Sequence, residues 1–174
     1  MSAETIRAAI RDIPDFPKPG IIFKDITPIL GSGPLFAETI ELLAARHLAS
    51  PPDRIVGIES RGFIFGAALA LRLGCGLVPV RKQGKLPYRT IAASYDLEYG
   101  SATVEIHRDA LRPGERVLVV DDLLATGGTA AAAVRLVEQL GAVVQGLEFV
   151  IELAFLDGRR QLAPHPVNAL VAVS

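Results

Sequence analysis

The sequence predicts an α/β fold, with a mostly parallel central sheet flanked by helices. Three observations carry that expectation. Strand-like and helix-like segments alternate along most of the 174 residues. Two short apolar runs, Ile55-Val56-Gly57-Ile58 and Val117-Leu118-Val119-Val120, have the length and β-branched content of strands buried on both faces. Each run leads through a polar, glycine-containing turn into an apolar helical segment, the pattern of a parallel sheet with crossover helices.

Taken in order, Ile6, Ala9, Ile10 and Ile13 recur at helical intervals and predict a helix that breaks at Pro14. Residues 14–34 carry Pro14, Pro17, Pro19, Gly20, Pro28, Gly31, Gly33 and Pro34 around Ile21-Ile22-Phe23, which predicts an ordered excursion without a helix. Leu35 to Leu48 reads as an amphipathic helix with Phe36, Ile40, Leu43 and Ala44 on one face. The strand at 55–58, the turn Glu59-Ser60-Arg61-Gly62, a helix over 63–73 and a strand over 77–80 follow. A basic loop begins at Arg81, and residues 94–107 alternate about Gly100 as a hairpin extension. The strand at 117–120 ends in Asp121-Asp122; a helix spans about 129–140, and strands lie near 143–151 and 169–173.

Length and composition narrow the class. A chain of this size fits one domain with a sizeable core, and half of its residues are apolar. A net charge of −1 provides no global field for nucleic acid or an anionic membrane. The single cysteine, Cys75, excludes an internal disulfide and suits a reducing compartment. No apolar run has signal-peptide or transmembrane length, so the expectation is a cytoplasmic protein. His47, His107 and His165 fall in no acid–base constellation, and Cys75, between Gly74 and Gly76, reads as a packing residue.

The chemistry concentrates in three segments. In the first, the strand at 117–120 is followed by paired acids, then by Thr126-Gly127-Gly128-Thr129 and an alanine-rich helix. Glycine-freed amides at a helix N-terminus cradle an anion. The carboxylates before them suit hydroxyls, such as a ribose diol, or a metal ion riding with a polyphosphate. The second segment, Glu59-Ser60-Arg61-Gly62, repeats the strand–turn–helix logic and adds a guanidinium suited to phosphate or pyrophosphate. In the third, residues 81–89 place four cations in nine residues without an acid, the composition of a loop that closes over an anionic ligand.

Val-Val-Asp-Asp-Leu-Leu-Ala-Thr-Gly-Gly-Thr (119–129) resembles the phosphoribosyl-pyrophosphate (PRPP) signature of the type I phosphoribosyltransferases. Four further segments resemble the adenine-specific members of that family: Asp-Phe-Pro-Lys-Pro-Gly-Ile-Ile-Phe-Lys-Asp-Ile-Thr-Pro (15–28), Glu-Ser-Arg-Gly-Phe (59–63), Arg-Lys-Gln-Gly-Lys-Leu-Pro (81–87) and Ser-Tyr-Asp-Leu-Glu-Tyr-Gly (94–100). The resemblance runs from about residue 12 to the region of Leu162. It implies one domain over 1–174, with a base-binding hood at about 14–34 and a flexible catalytic loop and hairpin at about 81–106.

The resemblance also implies roles. Asp121 and Asp122 would hold the ribose hydroxyls and Mg²⁺-bound PRPP, with the metal bound mainly through PRPP. Ala125, Thr126, Gly127, Gly128 and Thr129 would cradle the 5′-phosphate. Glu59, Ser60, Arg61, Arg81, Lys82 and Lys85 would face pyrophosphate. Glu98 and Tyr99, with Arg61, would be catalytic, and Glu98 would take the proton from the purine. Ile22, Phe23 and Lys24 would form the adenine hood, with Phe23 stacking on the base and Leu156 on its other face. The implied reaction is PRPP plus adenine giving AMP and pyrophosphate, by a homodimer with no nucleic-acid or membrane partner. Alternatives are a phosphoribosyltransferase for another base, or a PRPP-sensing regulator. The regulator would need a nucleic-acid-binding element, and the chain has no basic stripe and a pI near 6.3.

Overall fold

The computed structural model describes residues 2–174. A short helix, α1 (Ala3–Ala9), leads into a two-stranded antiparallel ladder of β1 (Arg11–Pro14) and β2 (Ile22–Asp25), with Ile13 opposite Phe23. The helical spacing of Ile10 and Ile13 is therefore overruled. Ile10 already has extended backbone, and the helix ends where pairing with β2 becomes available. The excursion expected from residue 14 is thus preceded by a paired strand starting at Arg11. It also contains one turn of helix, α2 (Thr27–Leu30), started by Pro28, where the sequence predicted none. Its strands are tied to that turn by Asp25, which accepts from the Thr27 amide at 2.9 Å and from Arg11 at 2.6 Å. These bonds hold the Asp25 carboxyl at about 2.

Helix α3 (Gly33–Ala45) is capped by the Ser32 hydroxyl and buries Ile40, Leu43 and Ala44 as the periodicity predicts. It stops three residues before Leu48, which is half exposed. Then come β3 (Arg54–Ile58), α4 (Arg61–Leu73) and β4 (Gly76–Lys82), so Arg81 and Lys82 lie in a strand and not in a loop. The hairpin of β5 (Thr90–Asp96) and β6 (Ser101–His107) turns at Gly100 and joins the end of β4 antiparallel. Three parallel strands complete the sheet: β7 (Arg116–Leu124), β8 (Val143–Leu153) and β9 (Val167–Val173). Helix α5 (Gly128–Gln139) connects β7 to β8. The order across the seven-stranded sheet is β5-β6-β4-β3-β7-β8-β9.

Both faces of this sheet are covered, which explains the unbroken apolar runs. Val117 and Val119 of β7 share a cluster with Ala132, Ala133 and Leu136 of α5. The alternate residues Leu118 and Val120 pack with Leu43 of α3 and Phe65 of α4 on the other side. β7 also runs four residues beyond the apolar run, so Asp121 and Asp122 are strand residues, paired along β8.

β3 and β7 are parallel neighbours, and the chain leaves them in opposite directions, to β4 on one side and β8 on the other. That is a topological switch point, where the loops following two adjacent strands diverge and leave a crevice. Helix α4 approaches the end of β7 so closely that a Cβ on Gly62 would stand 2.8 Å from Asp121 Oδ1 and 2.9 Å from the Val120 carbonyl oxygen. Neither neighbour is the far end of a flexible chain. Gly62→Ala should therefore destabilise the protein by ~1–3 kcal/mol, the usual cost of an overpacked site. A denaturant titration showing an unchanged midpoint would contradict this packing.

Candidate functional site

The crevice at the switch point is built from the turns after β3 and β7. After β7, Gly127 adopts φ +88° and closes onto α5, whose Ala131 amide bonds the Gly127 carbonyl at 2.9 Å. The amides of the first turn of α5 have no partners within the helix and form the positive end of its dipole. Residues 123–130, with Asp121, enclose a pocket of about 70 Å³, a size suited to a single small anion. A larger cleft of about 390 Å³ adjoins it. That cleft shares Asp121, Ala125 and Thr129, and adds Glu59, Ser60, Arg61, Lys82 and Tyr95. The two turns singled out in the sequence are thus walls of one site.

Its electrostatics are set by two carboxylates at the end of β7. Asp122 is buried and meets Arg61 Nε at 2.7 Å. Burial, followed by the charge of Asp122 and a side-chain hydrogen bond with it, pushes Asp121 well above the ordinary 3.8, against the opposing Asp122 amide and Arg61. A carboxyl held this way gains from any hydroxyl donor or cation that enters. Among the described residues no cluster of three or more His, Cys, Asp or Glu could cage a metal.

Glu59 is bonded to the end of β4. Here its Oε2 accepts from the Lys82 amide at 2.8 Å, while Arg81 Nε lies at 3.4 Å and Lys85 Nζ lies 3.5 Å from Oε1. Burial alone would raise this carboxyl; the Lys82 amide and the two cations outweigh it and hold the group below its ordinary value. Glu59 therefore gathers the cations of the 81–85 segment beside Ser60 and Arg61.

The hood reaches the same crevice through Phe23, whose ring has the Arg61 guanidinium 5.2 Å from its centroid and the Phe16 ring edge-on at 5.2 Å. Ile22 is exposed. Lys24 is ion-paired to Asp12 at 2.7 Å across the β1–β2 ladder, so its charge is used inside the hood. Leu156, partly exposed, borders a separate hollow with Thr126, Arg160 and Gln161, next to the anion pocket. Glu98 and Tyr99 occupy the exposed turn of the β5–β6 hairpin. The hairpin body is fixed to α5 by Arg135, which donates to the Ser94 carbonyl at 2.7 Å.

Two supports escaped the sequence reading. Gly158, in the 3₁₀ turn Gly158–Leu162, lies against the anion loop: a Cβ on Gly127 would strike its carbonyl, and a Cβ on Gly158 would strike that of Ala125. Beside it Gln161 donates to the Thr126 carbonyl at 2.9 Å. The other support is Glu148 of β8, fully buried opposite Val120, with His47 Nε2 at 2.8 Å and Asn168 Nδ2 at 2.9 Å from Oε1. His47 is thus a structural histidine. Cys75 is half-buried and burial raises its thiol, consistent with packing rather than reactivity. An open hollow of about 690 Å³ at the other end of the strands is lined by Asp53, Arg54 and Glu115; Arg54 and Glu115 pair at 3.4 Å, and it has no acidic pair or helix start of this kind.

Known proteins repeat both the sequence and this geometry. Residues 29–167 match the model of the phosphoribosyl transferase domain. An adenine phosphoribosyltransferase of Roseiflexus sp. (strain RS-1) is 60% identical over 162 residues, covering 93% of this chain and 94% of that protein. The chain belongs to the adenine phosphoribosyltransferase family. Its fold is that of the family's solved members. The enzyme of Thermoanaerobacter pseudethanolicus superposes with a TM-score of 0.96 at 52% identity, over 99% of this chain and all of that one. The Saccharomyces cerevisiae enzyme, solved with an iminoaltritol bisphosphate and adenine, gives 0.92 at 46% identity over 97% of each chain. The mostly parallel sheet flanked by helices, expected from the alternation of segments, is thereby established for this phosphoribosyltransferase.

The raised Asp121 has a measurable consequence in the ligand-free phosphoribosyltransferase. A carboxyl whose folded value exceeds its unfolded one stabilises the fold at low pH, and that contribution is lost as pH climbs from the ordinary value through the raised one. Asp121→Asn lacks the titration. Its thermal midpoint should therefore gain on the parent across that window and hold a constant lead above it. A pH-independent difference would show that Asp121 ionises normally.

Proposed function

We propose that the chain transfers the 5-phosphoribosyl group of PRPP to adenine, giving AMP and pyrophosphate, and so serves purine salvage. The observation that carries this reading is the convergence of two anion-binding turns on a buried acidic pair: the 70 Å³ pocket after β7 and the cleft that holds the Arg61 turn after β3 share Asp121, and Arg61 pairs with the adjacent Asp122. A ligand with a phosphate at one end, a diol in the middle and a pyrophosphate at the other matches that order. The names and solved complexes of the relatives agree with it.

On this reading residues 125–129 hold the 5′-phosphate, and Asp121 and Asp122 accept hydrogen bonds from the ribose hydroxyls. As the bond from the anomeric carbon to pyrophosphate breaks, the sugar gains oxocarbenium character and charge grows on the leaving oxygens. Arg61, Arg81, Lys82 and Lys85 stabilise that charge, with Glu59 holding the loop cations in place. Arg61 binds Asp122 through Nε and keeps its remaining N–H groups for phosphate oxygens. Asp121 or Asp122 would hold Mg²⁺ arriving with PRPP, and the ion would supply further neutralisation of the pyrophosphate. Phe23 and Leu156 flank the base, with Ile22 and Lys24 completing the hood. Glu98, beside Tyr99, accepts the proton that the imidazole ring of adenine sheds as its nitrogen bonds to the sugar.

The remaining proposals concern assembly and place. The whole chain acts as one unit, with the hood and the 81–106 segment as appendages of the sheet. No helix among the described residues is long and apolar enough to cross a membrane, and we assign a cytoplasmic location. Helix α4 presents Ile64 and Leu71, two turns apart, with Leu71 85% exposed. This face fits a homodimer contact.

A panel of bases with Mg²⁺ and PRPP, followed by pyrophosphate release, tests the reaction; turnover with hypoxanthine and none with adenine would overturn it. Glu98→Gln should lower kcat by ~10²-fold or more, the usual worth of general base catalysis, with PRPP affinity little changed. Equal steady-state turnover would remove Glu98 from the mechanism. Leu71→Asp should halve the mass measured by light scattering, and an unchanged mass would move the interface elsewhere.

A further inference from the structure

The hairpin tip that carries Glu98 and Tyr99 is solvent-exposed, and its backbone closes only on itself, through the Leu97 amide and the Gly100 carbonyl at 2.9 Å. Among the described residues no hydrogen bond or ion pair joins residues 97–100 to the hood. One side-chain contact does: Lys18 Nζ lies 5.5 Å from the centroid of the Tyr99 ring, within cation–π range.

Lys18 is well placed to act as a fixed post. It sits in a loop closed from within, where Asp15 Oδ1 accepts from the Gly20 amide at 2.9 Å, the Phe16 amide donates to the Ile21 carbonyl at 3.1 Å, and the Ile21 amide donates to the carbonyl of Lys18 itself at 3.3 Å. That loop is in turn keyed to the ladder by the edge-on packing of Phe16 against Phe23. The cation is therefore presented from a braced loop to a tip that has little else to hold it. The loop that carries Lys18 also carries Phe16, whose ring leads by contact through Phe23 to Arg61 and Asp122.

We propose that Lys18 is a positioning residue that latches the hairpin tip onto the hood, through its cation on the Tyr99 ring, and so brings Glu98 over the base-binding side of the cleft. The proposal rests on the phosphoribosyl-transfer reading for its catalytic consequence, but the latch itself is a contact that can be observed without turnover. Lys18 touches no reacting atom; it acts through Tyr99. A solvent-exposed cation–π contact is worth about 0.5–1 kcal/mol, so its removal should change a rate about two- to fivefold.

The test has two arms. In the unliganded protein, NMR should show the Lys18 Hε protons shifted upfield by the Tyr99 ring current, with the shift abolished in Tyr99→Leu and kept in Tyr99→Phe. Lys18 protons indifferent to Tyr99→Leu would overturn the latch whatever the enzyme does. In steady state, Lys18→Met should lower kcat/KM for adenine about two- to fivefold with the PRPP dissociation constant unchanged. Lys18→Arg, which keeps a cation over the ring, should recover most of the loss, and Lys18→Met placed on Tyr99→Leu should add nothing further. Equal impairment of the Met and Arg variants, or an undiminished effect of Lys18→Met in the Tyr99→Leu background, would show that Lys18 acts through something other than the ring. An unaltered kcat/KM in Lys18→Met would show that the contact has no part in positioning Glu98. Absence of adenine turnover in the parent would fail the functional reading and leave the NMR arm to judge the latch.

Discussion

The contact on which the rest of the site depends is the approach of helix α4 to the end of strand β7 at Gly62. Two parallel strands that diverge in connectivity leave a crevice, but a crevice alone does not bring their loops into chemical reach. With no side chain at Gly62, the first turn of α4 comes close enough for Arg61 to meet Asp122 at 2.7 Å. Everything placed in the crevice is measured from that pair. The anion pocket lies on one side of it, the cations gathered by Glu59 on the other, and the Phe23 ring lies against the guanidinium itself.

The site is an alternation of signs. The acid at 122 meets the cation at 61; the acid at 59 meets the cations at 81 and 85. These charges are paired within the protein, while burial raises the Asp121 carboxyl well above its ordinary value. Such pairing offsets charge within the site while leaving guanidinium and ammonium donors able to turn toward a ligand. The arrangement also explains why a chain of near-neutral overall charge can receive a polyanion: the attraction is local and low in dielectric, not a property of the net charge.

Much of this was visible in the sequence because the turn chemistry is local. The strand–turn–glycine–helix pattern at 59–62 and 121–129 depends on neighbours within a few residues, and both turns lie where the pattern puts them. What was hidden depends on partners far along the chain. Ile10 and Ile13 have helical spacing, yet the strand at 22–25 claims the backbone of residues 11–14. Asp121 and Asp122 lie in a strand because β8 continues alongside them, a fact no window around 117–122 contains. The bond from the Lys82 amide to Glu59 comes from the next strand, 23 residues along the chain. Buried Glu148 and its histidine partner are separated by 101 residues, with no local signature to announce them.

The glycines at 127 and 158 deserve a last reading in evolutionary terms. Each occupies the space that a side chain on the other's loop would need: a methyl at 127 meets the carbonyl of 158, and one at 158 meets that of Ala125. Because the obstruction is main chain on both sides, no change of side chain at one position makes room for a change at the other. The two sites form a constraint that single-step drift cannot relax, although they stand 31 residues apart in the chain. Only an inserted or deleted residue, remodelling a whole turn, could release them together. The Gly127 loop and the 3₁₀ turn behind it should therefore be inherited as one unit, while the loops around them are free to vary in length and composition.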